Sequence, residues 1–290
     1  MINDTWQDVQ ARFVNGRNWL GDAEARRWIA STSSGPRVSW KQLISWSSGS
    51  TVLSEIIEYR DPTEVLDQFG ACATWPEVSE KTASQLYQTS LIARRLDELP
   101  SGHVIEVGAG FGNLARIMLE TSPSILSWTI LDIPGVLAAA RDFLRQHLSP
   151  ELFEKVIFAS IYTDEPPVLK EKYDLFVSTF ALSETPFDTI DLYSSLVISR
   201  SDRAWIIGQL EFVDGTKTMQ RIIDRVRLTH DVRWAPYIYS FSEGWATAEM
   251  LAVRREDASA APSAIGTLPY EAPPKRFFAD ALSEAARGQA

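Results

Sequence analysis

Cysteine is almost missing from the sequence. Cys72 stands alone in 290 residues, so no disulfide can form within the chain. Histidine is scarce as well, and His103, His147 and His230 beside one thiol are too few to suggest a structural zinc centre. No excess of positive charge exists: 28 Lys and Arg face 38 Asp and Glu, a formal net charge of -10. That balance repels polyphosphate and argues against nucleic acid or an anionic membrane as a partner. No run of eighteen apolar residues occurs, and the start Met1-Ile2-Asn3-Asp4-Thr5-Trp6 shows neither the basic nor the apolar region of a secretion signal, so a soluble, cytoplasmic chain is expected. No repeat of fixed period is found, which sets aside solenoids and propellers. At 45% hydrophobic and 23% charged residues, the chain can bury a sizeable core.

The pattern divides near residue 100. Residues 1–100 read as a helical cap, because Val9, Phe13, Trp19, Leu20, Trp28 and Ile29 recur at roughly helical spacing and residues 82–99 form an amphipathic run. Residues 101–257 read differently, as short apolar runs alternating with helical segments. This is the signature of an α/β, doubly wound, mostly parallel Rossmann-like sheet. Strands are predicted over 104–107, 128–131, 156–159, 175–179 and 205–210, with helices over 113–121, 136–148, 189–199 and 216–228. Residues 232–241 and 246–253 add a closing antiparallel pair, for seven strands. Residues 258–290 read as an appendage, an Ala, Ser and Pro-rich linker over 258–274 and a short helix over 277–286.

The most informative stretch is Val104-Ile105-Glu106-Val107-Gly108-Ala109-Gly110-Phe111-Gly112-Asn113, a strand entering a glycine-punctuated turn and then a helix. Glycines there allow positive φ and let the backbone lie against a ligand where a Cβ would collide. A dinucleotide fingerprint wants its third glycine where Asn113 stands. The next strand delivers Asp132, twenty residues beyond Gly112, with Ile133 beside it. A carboxylate at that point has the acceptors to take both hydroxyls of a ribose. The plainer alternative is an ordinary tight turn, with Asp132 capping the helix that opens near Pro134. Glu106, closing the first strand, is placed to balance a positively charged amino acid moiety.

The form E-x-G-x-G-x-G resembles motif I of class I S-adenosylmethionine (SAM) dependent methyltransferases. The resemblance implies a seven-stranded methyltransferase sheet under the N-terminal cap. It also implies SAM as cofactor, held by Glu106, Gly108, Gly110, Gly112, Asp132 and Ile133. It further implies that Ser160 and Ile161, after the third strand, lie against the adenine, and that Tyr87 and Gln88, before the first strand, reach the methionine part. The stretch from Tyr173 to Glu184 opens with an acid and closes with a polar turn, which brings Ser178, Ser183 and Glu184 to the carboxyl edge of the sheet, where Ser178 joins the cofactor set. Together with Asp132-Ile133-Pro134-Gly135-Val136-Leu137 and Tyr193, it resembles the bacterial sugar O-methyltransferase family, in which a D-hydrophobic-P-x-V-L segment follows motif I and an A-L-S-E turn follows strand four. The resemblance covers roughly residues 85–211. It departs at Ser178-Thr179-Phe180, where that family carries Ser-Asn-Tyr, a difference that bears on the acceptor and not on the cofactor.

The implied activity is methyl transfer from SAM to a hydroxyl of a sugar or glycosylated small molecule. A sugar hydroxyl is scarcely ionised at neutral pH, so a positioned base is expected. Glu184 follows strand four, Glu211 follows strand five, and His230 has the pKa suited to the task; each also has a plain structural reading. His103 reads as structural. Six of the ten tryptophans, Trp6, Trp19, Trp28, Trp40, Trp46 and Trp75, lie in the cap, chiefly as anchors, with one or two as candidates to line an acceptor pocket. Asp164, Glu165 and Asp188 are loop acids without metal-ligand spacing, so no metal is expected. A homodimer is compatible with the sequence but not specified by it. Competing readings are methylation of a polyketide, phenol or peptide, a NAD(P)-dependent oxidoreductase, and a non-catalytic SAM-fold scaffold. Asn113 and the lack of a Tyr-x-x-x-Lys pair after strand four stand against the oxidoreductase.

Overall fold

The computed structural model describes residues 37–39, 77–79, 85, 88–89, 91–93, 95–163, 167–209, 215–238, 246–257 and 266–268. The six cap tryptophans, Tyr87, Asp164, Glu165, Glu211 and the helix expected over 277–286 lie outside them. Within the expected all-helical cap, β1 (Arg37–Ser39) and β2 (Glu77–Ser79) pair antiparallel. The helical run before strand one is present, with residues 85, 88–89, 91–93 and 95–96 in helix, ending where Asp97 adopts φ 57.

The main sheet runs in the order β10-β8-β9-β7-β6-β3-β4-β5. Its centre is parallel: β3 (Gly102–Val107), β4 (Ile125–Leu131), β5 (Val156–Ala159), β6 (Tyr173–Thr179) and β7 (Ser201–Gln209). β8 (His230–Ile238) and β9 (Ala246–Arg254) close it, β9 running antiparallel to both β7 and β8. These are the seven strands expected. An eighth, β10 (Gly266–Thr267), joins β8, and the Leu268 N–H donates to the Trp234 carbonyl at 2.8 Å. The supposed linker is therefore partly sheet. Its Leu268 is buried against Leu251 and Leu96, a contact that local composition does not reveal.

The connecting helices are α1 (Asn113–Thr121), α2 (Pro134–His147), α3 (Pro150–Phe153), α4 (Phe187–Leu196) and α5 (Gly215–Val226). Pro134 opens α2, where its missing N–H costs nothing and its fixed φ suits the first turn. One sheet face, with Val104, Trp128, Ile130, Val177, Trp205 and Ile207, packs on Leu91, Ile92, Leu114, Met118 and Leu144. The other, with Ile105, Val107, Leu131, Phe176 and Ile206, packs on Ile190, Tyr193, Met219, Ile222 and Val226. Each large apolar side chain so buried contributes roughly 1.5–3 kcal/mol. The chain leaves β3 toward β4 and β5, then returns to β6 and β7 on the other side of β3. That reversal opens a crevice at the carboxyl ends of β3 and β6. No described helix is long and apolar enough to cross a membrane.

Candidate functional site

The crevice is lined first by backbone. Gly108, Gly110 and Gly112 all take left-handed φ values of 80, 57 and 89, but for different reasons. A Cβ on Gly108 would stand 1.9 Å from the Ala181 Cβ, and one on Gly112 would stand 3.0 Å from Leu144 Cδ1. A Cβ on Gly110 would meet no atom of the described residues within 4 Å. Packing therefore excludes a side chain at Gly108 and crowds one at Gly112, while the middle glycine borders open space. Such a cradle lets a ligand approach the chain directly.

Asp132 stands across this turn. Its Oδ1 accepts the Ile133 N–H at 2.8 Å, and the N–H groups of Ala109 and Gly110 also donate to the carboxyl. Burial pushes the carboxyl up to about 7, against the opposing pull of these three amides. Helix α2 is capped by Ile133 without a side-chain bond, so Asp132 is aimed at the glycine turn and is no helix cap. Ile133 itself is buried. Glu106 is 1% exposed, and its Oε2 accepts the Trp128 indole N–H at 2.9 Å.

The turn after β5 is tied to itself: the Ser160 Oγ accepts the Tyr162 N–H at 3.2 Å, and the Ser160 carbonyl accepts the Thr163 hydroxyl at 3.2 Å. Ile161 is half-buried, packed in part against the core. Ser178 is corrected by the structure. It is fully buried, and its hydroxyl donates to the Val107 carbonyl at 3.1 Å, so it ties β6 to the end of β3 and touches no ligand.

At the end of β6, Phe180 holds φ 70 and ψ -34, a backbone state that a bulky side chain rarely adopts. Its N–H donates to the Ile207 carbonyl at 2.7 Å, and its own carbonyl accepts the Ser183 N–H at 2.9 Å and the Ser183 hydroxyl at 2.6 Å. The reversal starts the 3-10 turn Ala181–Glu184 and seats Ala181 against Gly108. Glu184, half-buried at the end of that turn, is thereby brought to the same edge as the glycines. Helix α4 starts after Pro186, whose side chain has no group to cap it.

His230 is also corrected. It begins β8, which runs in the same direction as β7, and its Nε2 donates to the carbonyl of Ser201, the first residue of β7, at 2.8 Å. It therefore lies at the amino edge, a nine-residue strand or roughly 25 Å from the carboxyl ends. Burial lowers its pKa, which favours the neutral ring. His103 is likewise structural at that edge, with Nδ1 2.9 Å from the Ser127 Oγ. Asp188 is exposed at the head of α4, and the described residues hold no group of three His, Cys, Asp or Glu able to bind a metal ion.

Three local arrangements go beyond the sequence reading. Asn113 is buried and donates to the Gln85 Oε1 at 2.7 Å, pinning the preceding helix over the glycine turn. One turn further along that helix, Gln88 is 1% exposed and its amide oxygen has no hydrogen-bond partner among the described residues. Tyr193 is buried near Asp132 and Tyr162, and its ionisation is pushed up by burial first and then by these neighbours. Asn113, Gln88 and Tyr193 each stand out in the sequence, but the surroundings they meet in the fold do not.

No protein family and no curated protein matches the chain. Among solved structures, magnesium protoporphyrin IX methyltransferase (ChlM) from Synechocystis PCC 6803 with bound SAM is 16% identical, covering 84% of this chain and 97% of its own, with a TM-score of 0.45. The methyltransferase domain of bacterial CtHen1 is 15% identical over 58% of this chain and 96% of its own, at 0.44. The [4+2]-cyclase SpnF is 13% identical over 63% and 83%, at 0.45. Likenesses at this level bear on neither substrate nor reaction.

Proposed function

We propose that the chain is a SAM-dependent O-methyltransferase acting on a hydroxyl of a sugar or glycosylated small molecule. The observation that carries this reading is the open hollow at Gly110 faced by the Asp132 carboxyl. A dinucleotide would want the third glycine, but Asn113 is buried and engaged with Gln85. The residues present fit an adenosyl ligand. Asp132 offers acceptors for two ribose hydroxyls, and Ile161 offers an apolar edge to a base. Glu106 places a buried acid under the turn, and the unpartnered Gln88 oxygen awaits a donor.

When bound, SAM supplies a methyl group already activated by its sulfonium. The chain's own task is then to hold an acceptor oxygen in line, exclude water and remove one proton. Glu184 is the base at the correct edge. It would take the hydroxyl proton as the oxygen gains its methyl group, an assistance of ~10²- to 10⁴-fold. The choice of a sugar rests on the A-L-S-E turn, here Ala181-Leu182-Ser183-Glu184, packed against Gly108. A polyketide, phenol or peptide acceptor is the nearest alternative.

Calorimetry with SAM and with NADH tests the cofactor. Binding of SAM alone is expected; binding of NADH alone refutes the reading, and binding of neither favours a scaffold. Mass spectrometry of candidate glycosides incubated with enzyme and SAM should show the gain of one CH₂ unit. Glu184→Gln should lower that turnover while leaving SAM affinity nearly intact.

A further inference from the structure

Glu106 is the last residue but one of β3, so its buried carboxylate lies just beneath the start of the glycine turn. In the parallel ladder Val104 stands opposite Trp128 of β4, which puts the indole on the same sheet face as Glu106, one side-chain step back along the strand. Trp128 is fully buried in the apolar cluster covered by α1 and the preceding helix. From there its Nε1–H donates to the Glu106 Oε2 at 2.9 Å. An indole can only donate, so the bond fixes an acceptor oxygen and cannot reverse. A second pair of the same kind serves as an internal control. Trp205 of β7 donates from Nε1 to the Glu249 Oε1 of β9 at 2.9 Å, where Arg95 also donates twice at 2.8 Å. β9 stands three places from β3 in the sheet order, roughly 14 Å at the usual strand spacing.

We infer that Trp128 is a positioning residue for the amino acid end of the cofactor, acting through Glu106. This rests on the adenosyl reading above, in which Glu106 meets the ammonium group. A glutamate side chain turns about several bonds, and holding one rotamer costs entropy. The indole, itself fixed by packing, supplies that restraint before the ligand arrives: its N–H holds one carboxylate oxygen, so the acid keeps a single aim beneath the turn. Without the N–H the acid loses both its aim and a hydrogen bond that stabilises its charge. The adenosine half is held elsewhere, at the Gly110 hollow and Asp132. Loss of the indole N–H should therefore be felt by the amino acid half alone.

Calorimetry of the full chain with two ligands reads the halves separately. S-adenosylhomocysteine carries the amino acid group, whereas methylthioadenosine keeps the adenosine and the sulfur and lacks it. Trp128→Phe should weaken S-adenosylhomocysteine about tenfold and leave methylthioadenosine within about twofold of wild type. Glu106→Gln should show the same selectivity, and adding Trp128→Phe to it should bring little further loss, because the two residues act as a unit. Trp205→Phe removes the equivalent bond far from the turn and should leave the ratio of the two affinities unchanged. Phe also leaves a cavity where the larger ring stood. Site-specific replacement of Trp128 by benzothienylalanine, which has nearly the same shape with sulfur in place of the N–H, supplies a second variant and decides the matter where Trp128→Phe does not fold. It should repeat the selective loss. Equal loss of both ligands in that variant, or an unchanged affinity for S-adenosylhomocysteine, overturns the inference and leaves the cofactor reading standing. A wild-type chain that binds neither ligand ends both.

Discussion

Gly108 and Gly110, two residues apart in the turn, should respond in opposite ways to the same added methyl group. Ala at 108 must hold φ 80, which costs ~1–2 kcal/mol for an L residue. It must also place its Cβ 1.9 Å from that of Ala181. This is about half of an ordinary carbon contact, and relieving it adds the ~1–3 kcal/mol typical of overpacking. Ala at 110 carries only the left-handed strain, at φ 57, because its Cβ enters open space. Gly108→Ala should therefore be the less stable variant by ~1–3 kcal/mol in urea denaturation. Ala181→Gly in the same chain should recover that difference, because the contact is shared between the two residues. Ligand binding should invert the order of severity: Gly110→Ala, though better folded, fills the hollow and should weaken S-adenosylhomocysteine by at least ~tenfold, or ~1.4 kcal/mol. Unchanged affinity in Gly110→Ala would remove the hollow from the cofactor site. Equal stability of the two variants would refute the packing account of Gly108.

Asp132→Asn should abolish tight nucleoside binding yet stabilise the fold at alkaline pH. A carboxyl whose folded pKa is raised gives stability that is full below about 4 and is lost as pH rises through about 7. Asn escapes that loss and recovers part of the ~4 kcal/mol that about three pH units represent at most; urea midpoints at about pH 5 and about pH 8 measure it, and a variant less stable at both would contradict it. Arg95 donates from Nε and Nη2 to Glu249 at 2.8 Å each, and Glu249 also accepts the Trp205 indole N–H at 2.9 Å, all three being buried. Arg95→Met should cost ~3–5 kcal/mol by leaving that acid without its cation, and adding Glu249→Gln should restore most of it; a chemical-denaturation cycle showing additivity would count against the pairing. His230→Phe should lose ~1–3 kcal/mol at neutral pH. Because the folded pKa of His230 is lowered, its contribution is present above about 6.5 and fades as pH falls through the folded value, so the gap to wild type should narrow in acid.

What the sequence displays well is local chemistry. β5 and α1 fall where apolar runs and glycine punctuation place them, over Val156–Ala159 and Asn113–Thr121. The other parallel strands start earlier than hydropathy suggests. β3, β6 and β7 open on Gly102-His103, Tyr173-Asp174 and Ser201-Asp202, where a glycine or a polar side chain interrupts the apolar run, while β4 opens on Ile125-Leu126; ladder hydrogen bonds recruit them all the same. β1, β2 and β10 are two or three residues long and exist only by pairing with distant segments, so no period announces them. The glycine turn and Asp132 were readable because a short stretch of chain holds their chemistry. Tyr162, the strain at Phe180 and the Gln85–Asn113 bond depend on how separate elements meet. Ser178 and His230 show the same limit from the other side: residue type made each plausible, while burial in one case and strand direction in the other decide against contact with a ligand.

The two edges of the sheet treat polar groups differently, and that contrast argues for where function lies. At the amino edge, the Asp174 Oδ2 accepts the His103 N–H at 2.6 Å, and the Ser201 carbonyl accepts from His230 at 2.8 Å and from the Arg254 Nε at 3.2 Å. Those side chains have settled on protein partners. At the carboxyl edge, three glycines and Phe180 hold left-handed backbone, a half-buried acid is pushed toward neutrality, and one glycine faces open space among the described residues. Strain and a displaced pKa both oppose folding, and a chain keeps them where an interaction made only with a ligand compensates. Filling the hollow should consequently stabilise this edge more than any other part of the sheet. Hydrogen exchange with and without S-adenosylhomocysteine would show it as protection concentrated at the amides of 108–113 and 132–133, and uniform protection across the sheet would break the link between the strain and the site.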